Sequence, residues 1–339
     1  MSATPPDPTI EHIAALADEA WQVRGEVSPL GGWEDANYLL RTDDGRAYVL
    51  KIASAATTRD TLENQVALLD HLASSEVAAL VPRVVLTASG RALSPVTTPQ
   101  GAARWARMLT WLEGRRLVTI EERPPQLLDA IGRTLAELDL ALRTFDHPHT
   151  RRTHEWDPMA APGLADMADA MDSPVYRTRV LAHLEHFAAT VVPRRNEFEH
   201  SVIHADANDH NLLARVTGDG PRLTGIIDFS DALFAPVVAD LGICLAYLML
   251  DREDPFSDAA LLIRGYHTVR PLSGLEREFL PDLVLSRICS SVLHAAQGLS
   301  RDPDNDYLQV SAAPMRRLFE TIDSSPADRF RHTVEAACS

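Results

Sequence analysis

The chain has 339 residues, enough for two domains or lobes, and at 45% hydrophobic it can bury a core, which excludes global disorder. Its formal net charge of −16 repels phosphate backbones and anionic lipid, which argues against nucleic acid or a polybasic membrane anchor as partner. Three scattered cysteines (Cys244, Cys289, Cys338) form neither a disulfide framework nor a CxxC pattern; the first ten residues lack a signal peptide's apolar run, and the most apolar stretch, Leu241 to Leu250, is too short for a membrane span, so the expectation is a cytoplasmic protein.

In chain order, Trp21 to Ile52 reads as β. The Asp44-Gly45 dipeptide marks a hairpin, followed by alternation that puts Tyr48, Leu50 and Ile52 on one face and Val49 and Lys51 on the other. Leu62, Val66 and Leu69 recur at helical spacing, with Thr57, Thr58 and Asp60 at the N-terminal end. "VPRVVLTASGRAL" reads as a second hairpin, and "ARMLTWLEG" (106–114) as a strand running into a polar connection. The pattern then turns helical. Leu127, Leu128, Ile131, Leu135, Leu138 and Leu142 mark one helix; a long loop, a helix over "VYRTRVLAHLEHFAATVV", two short β segments and four further helices, around 237–250, 258–266, 283–297 and 307–322, complete the chain. The expected class is α+β, with a β-rich part at 1–112 and a mostly helical part at 113–339.

The stretch "VIHADANDHNLL" (202–213) packs His204, Asp206, Asn208, Asp209, His210 and Asn211 between two apolar, strand-like ends, and "GIIDFSD" places Asp228 after a β-rich run. Phosphoryl transfer asks little covalent help of a protein. It needs an oriented hydroxyl, a divalent metal bridging phosphate oxygens and a cation on the phosphates. Asp206 suits the proton acceptor, and Asn211 and Asp228 offer the hard oxygens that Mg²⁺ takes. Lys51 on its strand suits the phosphate-gripping cation, with Glu63 on the next helix as its ion-pair partner. Gly31 and Gly32 supply a turn able to lie over phosphates.

On "HADANDHNLL", "GIIDFSDALFAPVVADLGICLAYLML", "EDANYLL", "YVLKI", "RMLTWLEG" and "IGRTLAELDLAL", which run from about residue 30 to 250, the sequence resembles the aminoglycoside phosphotransferase/choline kinase family, and within it the hydroxylysine kinase-like branch. The resemblance implies a protein-kinase-like, two-lobed fold, ATP or GTP as donor, Mg²⁺, and a small hydroxyl compound as acceptor. By position, Asp206 resembles the catalytic base, Asn211 and Asp228 the metal ligands, Lys51 the phosphate-binding lysine and Glu63 its partner. The segment 108–114, with Met108, Thr110 and Leu112, resembles the hinge that receives the nucleotide base through backbone groups. Two departures stand out: His-Ala-Asp where many relatives have His-Gly-Asp, and Asp-Phe-Ser-Asp where a glycine is common in the third place.

Other readings compete. His204, Asp206, Asp209 and His210 read together as a metallohydrolase site, but this leaves Asp228 and Lys51 without a role. A silent nucleotide-binding scaffold conflicts with the presence of Lys51, Asp206, Asn211 and Asp228 together. A protein kinase is disfavoured by the short span between Asp228 and the helix at Val237. His204 reads as a brace for the loop, and Asp240 as a buried acceptor for its backbone N–H groups. For an amino alcohol or hydroxy-amino acid acceptor, hydroxylysine-like first, Asp231 is the candidate for an ammonium and Arg287 for a carboxylate. Homoserine, choline and aminoglycosides are the alternative acceptors. Trp33 and Trp111 read as core or as site lining. The oligomeric state is not legible.

Overall fold

In the computed structural model, residues 9–31, 35–98, 101–152, 154–302, 306–326 and 328–339 are described, 306–311 by their backbone alone. The chain divides into two compact units, Met1–Glu113 and Gly114–Ser339.

In the first unit, α1 (Ile10–Trp21) is capped by Thr9, whose hydroxyl accepts from the His12 N–H. Then come β1 (Glu26–Leu30), β2 (Ala36–Arg41), β3 (Ala47–Ile52), α2 (Arg59–Leu72), β4 (Val84–Val85), β5 (Ser94–Thr97) and β6 (Ala103–Thr110). The β2–β3 hairpin turns where Asp44-Gly45 places it, with Gly45 at φ +84° and the Thr42 N–H donating to the Arg46 carbonyl. The sheet is antiparallel, in the order β1-β2-β3-β6-β4. The alternation on β2, β3 and β6 buries Tyr38, Leu40, Leu50, Ile52 and Met108 against Ile13 and Trp21 of α1. Each large side chain so buried contributes about 1.5–3 kcal/mol. The second hairpin is not formed. The turn exists, with the Thr87 N–H on the Arg91 carbonyl, but β4 and β5 each pair with β6 and lie end to end along one of its edges. The long β6 offers both segments a backbone partner, and they take it in place of each other.

The second unit contains β7 (Arg115–Arg116), α3 (Pro125–Leu142), α4 (Pro174–Thr190), β8 (His200–Ile203), β9 (Leu212–Thr217), β10 (Gly220–Ile226), β11 (Leu233–Pro236), α5 (Val238–Leu248), α6 (Pro255–Val269), α7 (Gly274–Arg301), α8 (Asp306–Ser324) and α9 (Arg329–Ala337). The expected long loop after α3 is partly wound into 3-10 turns at Pro148–Arg151 and Pro158–Ala170. Helices α3 and α6 pack backbone to backbone: a Cβ on Gly132 would lie 2.0 Å from the Leu262 carbonyl oxygen, and one on Gly265 2.1 Å from that of Asp129. Helix α7 begins earlier than its apolar periodicity suggests, because Ser273 and Glu276 form a reciprocal capping box. It is long and apolar enough to cross a membrane, yet 78% of its apolar window is buried inside the protein, so that hydropathy belongs to a core helix.

Candidate active site

Two short ladders assemble the site. β8 and β11 pair with Ile203 opposite Leu233, so the loop leaving β8 and the loop entering β11 emerge together. β9 and β10 pair with Leu212 opposite Ile226, and the Ile227 N–H donates to the Asn211 carbonyl at 2.9 Å. Asp206, Asn211 and Asp228 are thereby brought into one neighbourhood by sheet register.

The loop is suspended from Asp240, which is fully buried at the start of α5. Its carboxylate accepts from the His204 N–H at 3.0 Å and the Ala205 N–H at 2.8 Å. His204 accepts from the Asp206 N–H on Nδ1 (3.2 Å), which makes Nε2 the protonated nitrogen, donating to the Ile227 carbonyl at 3.1 Å. His204 is therefore a brace, as the sequence suggested. Behind Asp240 lies Asp139 of α3, which accepts from the Tyr266 hydroxyl. Burial, foremost, and the neighbouring charge of Asp240 push the Asp139 carboxyl well above its ordinary range. Ala205 sits at φ +65°, a left-handed conformation that glycine takes without strain.

Asp206 is held by three side-chain donors. Oδ1 accepts from Asn208 Nδ2 (2.9 Å) and Arg287 Nη2 (2.8 Å), and Oδ2 from Asn211 Nδ2 (2.7 Å). Its side chain retains 21% exposure, so a hydroxyl can reach it. Burial, opposed by Arg287 and aided by the charges of Asp231 and Asp228, pushes its carboxyl up to about 7. Asn208 closes the turn by accepting the His210 and Asn211 N–H groups on Oδ1 (2.8 and 3.1 Å). Asp209 is buried against Arg123 at 3.1 Å and His204 is committed to backbone, so the metallohydrolase grouping is not assembled.

Asp228 is also left-handed, at φ +65°, and its Oδ1 accepts from the Ser230 hydroxyl at 2.9 Å. The serine in the third place, Ser230, thus binds the carboxylate directly. Asn211 spends its Nδ2 on Asp206, which leaves its Oδ1 as the amide atom able to bind a cation. An amide oxygen and a carboxylate beside the charges of Asp206 and Asp231 fit a hard divalent cation, which would draw its remaining ligands from phosphates and water. Among the described residues no group of three His, Cys, Asp or Glu side chains is placed to hold a metal ion.

Asp231 lies 3.6 Å from His154 Nε2. Arg287 of α7 is 7% exposed; besides Asp206 it donates from Nη2 to the Tyr247 hydroxyl at 3.3 Å, and its guanidinium lies over the rings of Trp156 (4.5 Å) and Tyr247 (5.4 Å). All these residues belong to the second unit.

In the first unit, Lys51 lies on β3 opposite Asn37, and its ammonium is 3.7 Å from Asp35, which also binds Arg107 at 2.9 Å. The expected partner Glu63 is instead half exposed and paired with Arg59 one turn earlier, at 2.8 Å. The reason is helix phase: α2 buries Leu62, Gln65, Leu68, Leu69 and Leu72, which turns Glu63 outward. Asp35 lies just before β2, two residues from Asn37, and no local pattern in the sequence marks it, because the register that sets Asn37 opposite Lys51 exists only in the folded sheet. Met108 also departs from expectation. It is fully buried in β6 between Leu50 and Val85, so its backbone is spent on the sheet. The Thr110 N–H donates to the Arg83 carbonyl and its hydroxyl accepts from the Arg83 N–H (both 2.9 Å). Leu112 alone of the three lies past the strand end. Gly31 follows β1 in the β1–β2 connection, whereas Gly32 and Trp33 lie outside the described residues. Trp111 belongs to the first unit, with Arg41 over its ring.

Comparison with known proteins places this geometry. Residues 26–277 match the model of the phosphotransferase enzyme family, APH. A hydroxylysine kinase of Danio rerio is 29% identical over 84% of this chain and 83% of its own length. A homoserine kinase of Xanthobacter autotrophicus is 31% identical over 90% of this chain and 88% of its own. Among solved structures, an amicoumacin kinase in complex with AMP-PNP and Ca²⁺ superposes with a TM-score of 0.69 at 17% identity, covering 93% of this chain and 94% of that one, which establishes a protein-kinase-like fold.

Proposed function

The chain belongs to the phosphotransferase enzyme family, in its hydroxylysine kinase-like branch, and on that premise we propose that it moves the γ-phosphoryl group of ATP or GTP to a hydroxyl of an amino alcohol or hydroxy-amino acid, a hydroxylysine-like acceptor first. The carrying observation is the Asp206 carboxylate, held by three donors yet open to a hydroxyl.

In the proposed step the acceptor O–H gives its proton to Asp206 as its oxygen attacks the γ-phosphorus. The new O–P bond forms while the bond from the γ-phosphorus to the bridging oxygen breaks, and the nucleoside diphosphate leaves with that electron pair. Asn208, Asn211 and Arg287 hold the carboxylate so that its proton-accepting face is set before the acceptor arrives. Asn211 and Asp228 would hold Mg²⁺, which when bound neutralises charge on the phosphates. Lys51, oriented by Asp35, is assigned to the donor's phosphates, and backbone groups around Leu112 to its base. In this reading 1–112 is the nucleotide-binding lobe, and 113–339 the catalytic and acceptor-binding one.

The test is nucleoside diphosphate release with Mg²⁺ and ATP or GTP against 5-hydroxylysine, homoserine, threonine, ethanolamine, choline and an aminoglycoside. One acceptor should accelerate release well above the acceptor-free rate. No stimulation by any of them, with nucleotide bound, would favour a silent nucleotide-binding protein instead.

A further inference from the structure

Helix α7 buries an arginine beside the reacting position and leaves most of its donors unused. Arg287 is 7% exposed among Val284, Ile288 and Cys289, which are fully buried. A guanidinium carries five N–H donors. Here only Nη2 is engaged, by Asp206 and Tyr247, while Nε and Nη1 are buried with no hydrogen-bond partner among the described residues. Buried donors are ordinarily satisfied, and an unsatisfied one costs about 1–3 kcal/mol, more when charged. A planar cation of this kind matches a carboxylate.

The surroundings hold the guanidinium in place. Trp156 packs at a tilt against His294, two turns along α7 from Arg287, with ring centroids 4.3 Å apart, and the rings of Trp156 and Tyr247 both lie against the Arg287 guanidinium. The Trp156 N–H donates to His154 Nδ1 at 3.3 Å, and the other nitrogen of that ring lies beside Asp231. A carboxylate suited to an ammonium and a guanidinium suited to a carboxylate therefore flank the base.

We propose that Arg287 is the receptor for a carboxylate on the acceptor, with Asp231 for its ammonium, so that the substrate is a hydroxy-amino acid and not an amino alcohol. This rests on the phosphotransferase reading and narrows it. Because one nitrogen of Arg287 already touches Asp206, a carboxylate on the remaining nitrogens fixes the acceptor's hydroxyl within reach of the base. The same contact discriminates against choline-like and aminoglycoside acceptors, which carry no carboxylate and leave the guanidinium unsatisfied.

The test compares matched pairs that differ only in the carboxylate: homoserine with 3-aminopropan-1-ol, and 5-hydroxylysine with 1,5-diaminopentan-2-ol. Binding is read by titration calorimetry with AMP-PNP and Mg²⁺, and kcat/KM by nucleoside diphosphate release with ATP or GTP. In the unmodified protein the carboxylated member of at least one pair should be favoured roughly 10- to 100-fold, the worth of a charge-assisted bond. Arg287→Gln, shown to be folded by its melting curve, should collapse that ratio to within about threefold. The proposal is overturned if the amino alcohols match their carboxylated partners in the unmodified protein, or if neither hydroxy-amino acid binds. It is equally overturned if Arg287→Gln lowers both members of a pair alike, since Arg287 would then only position Asp206. Phosphorylation of the amino alcohols as efficiently as their carboxylated partners would sink this proposal while leaving the phosphotransferase reading intact, whereas diphosphate release that no acceptor raises above the acceptor-free rate would sink that reading.

Discussion

Asp206 and Lys51, the two charged groups to which the chemistry is assigned, are built in opposite ways. Asp206 is gripped mainly by its own loop: Asn208 and Asn211 bind its carboxylate from two and five residues away, and His204 binds its N–H. Lys51 depends on a carboxylate sixteen positions earlier, one that must also satisfy Arg107. A loop whose donors and acceptors are contiguous carries its geometry with it. An ion pair across strands exists only once the register is set. Substitution of Asp206 itself should therefore act on catalysis, and substitution of Asp35 on stability and nucleotide binding together.

The sharpest way to break the comparison is at Asp206. Asp206→Asn should lower kcat by ~10²–10⁴-fold, the range for a positioned general base, with nucleotide affinity nearly unchanged. Near-normal turnover would remove Asp206 from the mechanism. The same base should leave a signature in pH. Its folded-state carboxyl is raised to about 7, so it is protonated and inactive below that value and ionised above it. The kcat/KM profile should therefore rise through the neutral range. A bound divalent cation draws that limb to lower pH, and the limb should vanish in Asp206→Asn.

A smaller effect is expected behind the loop. Asp240→Ala strands two buried N–H groups and should cost about 2–5 kcal/mol, read from urea melts. A change below 1 kcal/mol would mean that the loop holds itself without α5.

At the second centre, Asp35→Asn should cost about 1–3 kcal/mol and raise the nucleotide KM, because the carboxylate charge beside both Lys51 and Arg107 is removed. Glu63→Ala should change stability by less than about 0.5 kcal/mol and leave KM alone, as for any exposed i,i+4 pair. Equal effects from the two substitutions would restore Glu63 to the role the sequence suggested for it. The smallest expected change is at Ala205→Gly, which relieves a left-handed alanine and should stabilise the protein by up to about 1 kcal/mol in the same melts, with turnover unchanged.

Sequence by itself determined the β-rich first part, the helical second part, and the cluster of Asp206, Asn211 and Asp228, because alternation, helical spacing and a polar loop between apolar strands are local patterns written in adjacent residues. It also marked His204 and Asp240 as supports. Tertiary structure decided the rest. The register of β2 against β3, not the spacing to the next helix, brings Asp35 to Lys51, and the phase of α2 sends Glu63 to solvent. The length of β6 absorbs β4 and β5 and spends the Met108 backbone on the sheet. Trp156, from a 3-10-rich connection with no helical or strand periodicity, meets Arg287 from α7 only when the second unit is packed. Contacts of that kind join residues more than a hundred positions apart, and a linear pattern has no means of encoding which of many polar side chains will share a buried neighbourhood.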